Sequence, residues 1–243
     1  MTPTLRARFS GVSAAILSFA IAGASCLAED SKTVAMFNGK DLTGWKTVGR
    51  GQSQWVFGHA EWDSENPKAI KSTGSGSDLI SSKPGVNLTS EAVFGDCRVE
   101  FDFMVGKSST NSTDSNSGIK LQNIYEIQIF DSFGKEKAGK LDCGAIYSET
   151  PPSLNASKKP GEWQTFVIEF QAPRFDADGK KTANAKFVKV ILNGQVVQDN
   201  VEIAHGTNVG RNAPEHPTGP LYLQGDHGSV AIRNLKVTPL ENK

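Results

Sequence analysis

The sequence predicts an all-β fold, a sandwich or barrel of antiparallel strands, on three observations. Apolar and polar residues alternate with a period of two through most of the chain. Asn193-Gly194 separates two such runs. After Ala28 no long window carries an apolar stripe at 3.6-residue spacing. The sandwich is expected from about Val34 to Leu240, with helices confined to short turns.

Val93-Phe94 leads into Cys97 to Val105, where Val99, Phe101, Phe103 and Val105 share one face and Arg98, Glu100 and Asp102 the other. Next come Asn116 to Leu121 and the run from Tyr125 to Asp131. Here Glu126 and Gln128 fall on one face, with Tyr125, Ile127 and Ile129 behind them. A sheet needs only one buried face, so an acid and an amide repeated on the other describe either a solvated surface or a polar groove suited to a sugar. Trp163 to Phe170 and Phe187 to Leu192 continue the pattern. Asn193-Gly194 then turns the chain cheaply, because both residues accept positive φ. Tyr222 and Gln224 lie two apart and share a face, and Val230 to Val237 is the last strand.

Lys71 to Ser77 reads as a Ser/Gly-rich loop tip and Gly106 to Ser115 as a Ser/Thr/Asn tract. Pro173 to Asn184 carries Asp176-Ala177-Asp178-Gly179, which resembles part of a calcium loop but lacks the later acidic ligand, so a hairpin tip is expected. No repeat or linker divides the chain.

The N-terminus has three parts: a basic start with Arg6 and Arg8, an apolar run from Val12 to Ala24, and small residues before Glu29-Asp30. This is a secretory signal, expected to be cleaved near Ala28 and to leave a secreted or periplasmic protein of residues 29–243 as a single domain. A lipid on Cys26 is the rival, although Gly23 replaces the larger aliphatic residue such a signal normally has. No later segment is apolar enough to span a membrane. Cys97 and Cys143 then remain, either bridged or as two buried thiols, and alone they lack zinc-ligand spacing. The 26 basic and 26 acidic residues balance and form no basic stripe, which argues against nucleic acid.

Several motifs occur in order. Met36-Phe37-Asn38-Gly39-Lys40-Asp41-Leu42-Thr43-Gly44-Trp45 comes first, then Asn116-Ser117-Gly118-Ile119 and Tyr125-Glu126-Ile127-Gln128-Ile129-Phe130-Asp131. Gly144-Ala145-Ile146-Tyr147, Pro160-Gly161-Glu162-Trp163 and Leu192-Asn193-Gly194 follow. Gly219-Pro220-Leu221-Tyr222-Leu223-Gln224-Gly225-Asp226-His227-Gly228 then runs into Ile232-Arg233-Asn234-Leu235. Over nearly the whole mature chain this ordered set resembles the 3-keto-disaccharide hydrolase family. The resemblance implies a concanavalin-like jelly-roll β-sandwich, two antiparallel sheets with a concave face for carbohydrate, in secreted bacterial proteins. It also implies cleavage of glycosides already oxidised to a ketone at C3. The chain departs from the family pattern at Lys120, where many relatives carry arginine, and in the longer 173–184 hairpin. A lysine offers a point charge rather than a planar fork.

A ketone at C3 acidifies the proton on C2, so a base can remove it and the enolate can expel the group on C1 before water adds back. Glu126 and His227 are the candidate bases, and Lys120 or a divalent cation is the candidate electrophile. Asn116, Gln128, Asp131, Tyr147, Tyr222, Gln224 and Asp226 are the candidate substrate contacts. His227 has a second reading as a turn-holding residue, while His59, His205 and His216 read as surface or turn positions. The substrate's ketone has to come from a sugar 3-oxidoreductase, which implies a functional link to such an enzyme.

Two other functions fit the same residues. Glu126, Gln128 and Asp131 follow the spacing E-x-D-x-x-E of laminarinase-like retaining glycosidases, but a bulge must bring Asp131 to the face of Glu126. A non-catalytic, lectin-like glycan-binding module is the other. Trp45 and Trp163 are expected in the core.

Overall fold

In the computed structural model the described residues are Met1, 33–109 and 114–241, so the expected signal, with Cys26 and Ala28, lies outside them. Fifteen strands follow in chain order: β1 (Val34–Ala35), β2 (Trp45–Val48), β3 (Trp55–Trp62), β4 (Ile70–Ser81), β5 (Asn87–Phe94), β6 (Cys97–Val105), β7 (Asn116–Leu121), β8 (Tyr125–Phe130), β9 (Gln164–Gln171), β10 (Arg174–Phe175), β11 (Lys181–Ala183), β12 (Ala185–Leu192), β13 (Gln195–Ile203), β14 (Gly219–Leu223) and β15 (Val230–Pro239). Among the described residues the only helical element is a single 3₁₀ turn, Asn208–Gly210. No described helix is long and apolar enough to cross a membrane.

Two antiparallel sheets form a jelly-roll sandwich. The larger runs β13-β12-β9-β6-β15-β4-β3 with β1 on β15, and the smaller runs β2-β5-β14-β7-β8. Alternation on both sheets supplies the core between them. Val99, Phe101 and Phe103 of β6 and Phe166, Ile168 and Phe170 of β9 meet Ile119, Leu121, Tyr125, Ile127 and Ile129 of the smaller sheet, all in one buried cluster. Phe103 and Phe166 stack at 5.1 Å. On the outer face Arg98 pairs with Glu169 at 2.9 Å and Glu100 with Lys236 at 3.4 Å. The β12–β13 turn has Asn193 at φ 52 and Gly194 at φ 81, the double positive φ that Asn-Gly tolerates.

One expected loop is a strand. Lys71 to Ser77 lies within β4, where Thr73, Ser72 and Lys71 pair with His59, Ala60 and Glu61 of β3. Beyond Thr73 the register shifts, with Gly58 paired to Asp78, so Gly74 to Ser77 bulge out of the ladder with Gly74 at φ 65, and Gly76 serves close approach, because a Cβ on it would stand 2.3 Å from the Gly58 carbonyl oxygen. The 173–184 segment is the expected hairpin, β10 paired with β11, and Asp176 Oδ1 accepts from the Asp178 and Lys180 amides to shape its tip. Cys97 and Cys143 are both free and buried. Trp45 is in the core, whereas Trp163 is only partly buried and carries the Arg233 guanidinium 3.9 Å from its ring centroid.

Candidate active site

Three neighbouring strands of the smaller sheet build the site. Tyr222 of β14 pairs in register with Lys120 of β7, and Lys120 with Glu126 of β8, so the three side chains stand in a row across the outer face. Lys120 Nζ lies 3.3 Å from Glu126 Oε2 and 5.1 Å from the Tyr222 ring centroid. Both charged residues are withdrawn from water, Lys120 at 8% exposure and Glu126 at 3%. Gly118, one step along the same face, makes room for the acid: a Cβ there would stand 2.4 Å from Glu126 Oε1.

Loops complete the walls. Residues 144–147 run beside β8, with the Gly144 amide donating to Gln128 O, the Gln128 amide to Ala145 O and the Tyr147 amide to Glu126 O at 3.1 Å, which sets Tyr147 next to the acid. The 225–228 turn is pressed against β7 and the start of the 85–88 segment. A Cβ on Gly228 would meet the Ser115 and Asn116 amide nitrogens at 2.6 Å, and one on Gly225 would meet Val86 O at 2.6 Å. That packing presents Asp226 and His227 to the cavity, and Asn87 pins them: Asn87 Nδ2 donates to Asp226 Oδ2 at 3.0 Å, and its Oδ1 accepts from the Gly225 amide at 2.8 Å.

His227 Nδ1 lies 2.6 Å from Asp226 Oδ1 and 3.1 Å from Gln224 Nε2. The shorter contact, to a carboxylate, favours the tautomer in which Nδ1 carries the proton and donates to Asp226 rather than accepting from Gln224, which leaves the ring Nε2 as the acceptor. Burial opposes ionisation of Asp226, but hydrogen bonds from Asn87 and His227 outweigh it and hold the carboxyl below its usual range. Glu126 is shifted the other way. Burial pushes its carboxyl up, Lys120 and His227 offset this only in part, and the Asp226 charge adds to it. Burial likewise raises both tyrosines, with Tyr222 pushed up to about 12, so their hydroxyls stay protonated donors near neutral pH.

The resulting cavity, of about 230 Å³, is lined by Asn116, Lys120, Glu126 and Tyr147, by Tyr222, Gln224, Asp226 and His227, and by Asn208 and Val209 of the 3₁₀ turn. Gln128 and Asp131 line the adjoining cavity, which shares Asn116 and Tyr147 with the first. The structure thus gathers all ten candidate residues along one groove. Asn87, Gly118 and the Asn208–Gly210 turn were not singled out by sequence. Only Gly118 carried a signal, a glycine inside an alternating strand. Among the described residues no group of three or more His, Cys, Asp or Glu is arranged to hold a metal ion. The Asp226 oxygens are taken by Asn87 and His227, and Glu126 is taken by Lys120.

The laminarinase-like arrangement lacks its bulge. β7 and β8 pair without a register shift from Asn116↔Phe130 to Leu121↔Tyr125. The Asp131 carboxylate is committed to backbone, accepting from the Ser108 amide at 2.8 Å and the Phe133 amide at 3.3 Å. Outside the groove, His205 contacts Arg211 at 3.1 Å, and His59 stands 4.0 Å from Asp78 on the surface.

The family of 3-keto-disaccharide hydrolases, described as the 3-keto-alpha-glucoside-1,2-lyase-like domain, matches residues 32–238. The chain belongs to this family. A provisionally assigned glycosyl hydrolase from Parabacteroides distasonis is similar in structure, with a TM-score of 0.69 at 28% identity over 86% of this chain and 84% of its own. A second provisionally assigned glycosyl hydrolase from that organism shares the fold, with a TM-score of 0.54 at 18% identity over 86% of this chain and 94% of its own. No match was found among curated proteins. Membership of this family makes the chain a carbohydrate-acting, glycosyl hydrolase-like protein.

Proposed function

We propose that the protein cleaves the glycosidic bond of 3-keto-glycosides by elimination followed by water addition, acting outside the cytoplasm after its signal is removed near Ala28. The observation that carries this reading is a buried glutamate, Glu126, with its carboxyl pushed up and the Lys120 ammonium 3.3 Å away. A base with a raised pKa beside a fixed positive charge is what enolate formation requires, since the proton leaves C2 while negative charge gathers on the neighbouring C3 oxygen.

In the proposed sequence Glu126 takes the C2 proton. The electron pair left on C2 delocalises onto the C3 oxygen beside Lys120, with the protonated Tyr147 or Tyr222 hydroxyl as a further donor. The pair then returns to form the C1–C2 double bond as the bond from C1 to the leaving oxygen breaks, and that oxygen takes up a proton. Water adds to C1, a proton returns to C2, and the products are a 3-keto sugar and the free alcohol. His227, oriented by Asp226, serves the leaving oxygen and the incoming water. The family's description as a 1,2-lyase acting on a 3-keto-alpha-glucoside supports this elimination. An oxidoreductase acting on the C3 hydroxyl has to supply the ketone.

The test follows C2 hydrogen exchange and cleavage of a 3-keto glucoside in deuterated water. Glu126→Gln should lose both by about 10²-fold or more. His227→Ala should keep exchange and lose cleavage. The opposite pattern reassigns the base to His227. Cleavage by the wild type with no C2 exchange, and no isotope effect on C2-deuterated substrate, excludes elimination. Binding of the sugar without any product would show a lectin-like module, and turnover of the unoxidised disaccharide would show direct glycoside hydrolysis.

A further inference from the structure

β8 is an outer strand of the smaller sheet, so the backbone groups on its open side need partners that no further strand supplies. The 144–147 segment meets three of them. The Gly144 and Tyr147 amides donate to Gln128 O and Glu126 O, and Ala145 O accepts from the Gln128 amide. In a regular antiparallel pair the Glu126 amide would then donate to Tyr147 O. Instead the chain turns away at Ser148, at φ 62, and the Glu126 amide donates to a side chain, Thr207 Oγ1, at 3.2 Å. The same hydroxyl donates to Ile124 O at 2.9 Å, and the Thr207 amide donates to that carbonyl at 2.7 Å. Thr207, 1% exposed, is thus bolted to the backbone of the segment that carries the proposed base.

The hydroxyl is not used where a threonine at this position ordinarily uses it. Thr207 stands at the N-cap of the Asn208–Gly210 turn, yet its side chain accepts from no amide of that turn. Two glycines let the turn close down on the strand. A Cβ on Gly206 would stand 2.3 Å from Gly210 O, and one on Gly210 would stand 3.2 Å from Ile124 O. Val209 is 83% exposed at the tip, so little packing holds it in place over the cavity that it and Asn208 line. The placement of that wall rests on the Thr207 anchor.

We infer that Thr207 is the positioning residue for Glu126: its hydroxyl fixes the backbone from which the carboxylate reaches the substrate, and it locks the Asn208–Val209 wall to the same strand. Lys120, 3.3 Å from the carboxylate, does not replace this anchor, because its ammonium follows the acid on a flexible four-carbon stem. The inference rests on the elimination reading for the step that Glu126 serves, but not for how Thr207 holds it.

Two measurements separate these. The first is turnover of a 3-keto glucoside, assayed well below the melting temperature of each variant. Thr207→Val nearly keeps the shape and removes the hydroxyl, and should lower kcat about tenfold with KM within about twofold of the wild type. Thr207→Ser keeps the hydroxyl and should hold kcat to within about threefold. Full turnover in Thr207→Val, or equal losses in both variants, overturns the inference. The second measurement needs no activity and follows titration of the Glu126 carboxyl by carbon-13 NMR. Burial raises that carboxyl, Lys120 of β7 and His227 of the 225–228 turn offset part of the rise, and Asp226 of the same turn adds to it. An acid that drifts from Lys120 should therefore titrate at higher pH in Thr207→Val and as in the wild type in Thr207→Ser. A titration unmoved in Thr207→Val overturns the inference. Wild-type protein that turns over no keto-glycoside, in a set where Thr207→Val still moves the titration, refutes the elimination reading and keeps Thr207 as the residue that positions the acid.

Discussion

Gly118 and Glu126 are packed so closely across the β7–β8 pair that a Cβ on Gly118 would fall 2.4 Å from Oε1 of the acid and 3.1 Å from its Cδ. The space the carboxylate occupies is the space an alanine methyl would fill. Gly118 is not at positive φ, so the glycine is needed for room and not for backbone freedom.

Gly118→Ala should therefore displace the acid without unfolding the sheet, because what gives way is the end of a side chain and not backbone. Turnover should fall about 10²-fold through misplacement of the base, with thermal melting shifted by only a few degrees. Parallel assays of kcat/KM and melting check this. Full activity would show that the Glu126 position seen here is not the working one.

The pH profile should carry the mark of the buried acid. Glu126 acts unprotonated, and burial raises its carboxyl above the ordinary value of 4.5. Activity is thus present above the raised pKa and lost as pH falls through it. The acid limb of kcat/KM should lie above the ordinary glutamate range and disappear in the residual activity of Glu126→Gln. A limb near 4.5 in the wild type contradicts the assignment.

Alternation alone was enough to place Glu126 and Gln128 on one face and the core residues of β6 and β9 on the other, because side-chain direction in a strand is local. The gathering of His227 and Asp226 over that face is not local. It depends on Gly225 and Gly228 letting one turn lie against Val86, Ser115 and Asn116, contacts remote in sequence that leave no periodic trace. Resemblance to an ordered set of motifs supplied what pattern could not. Composition misled at Lys71 to Thr73, where serine signals a turn but the paired backbone of β3 makes a strand, whereas Gly74 to Ser77 do leave the ladder as a bulge. Asp131 was legible as a groove residue but not as a backbone clamp, since the Ser108 amide it holds is brought to it only by tertiary folding.

Neither described cysteine should react in the folded protein. Burial pushes both thiols up to about 12, with Asp96 adding to the shift at Cys97, so almost no thiolate exists at pH 8. A maleimide reagent should label neither until denaturant is added, and both afterwards, as read by intact mass. Rapid labelling of Cys143 without denaturant would show that its surroundings open.

Asp226 tests the division of labour in the groove. Its carboxyl is held below the usual range by Asn87 and His227, so it is ionised wherever the enzyme works and keeps the proton of His227 on Nδ1. Asp226→Asn removes the charge and leaves an amide that Asn87 can still contact, which spares the turn. The imidazole then loses the partner that fixes its tautomer, and the steps it serves should slow by about 10²-fold. Because Glu126 still takes the C2 proton, exchange at C2 should continue near the wild-type rate while release of the leaving group falls, a split that mere loss of folding would not produce. Equal loss of exchange and cleavage in Asp226→Asn, with melting unchanged, would place His227 at the C2 proton instead.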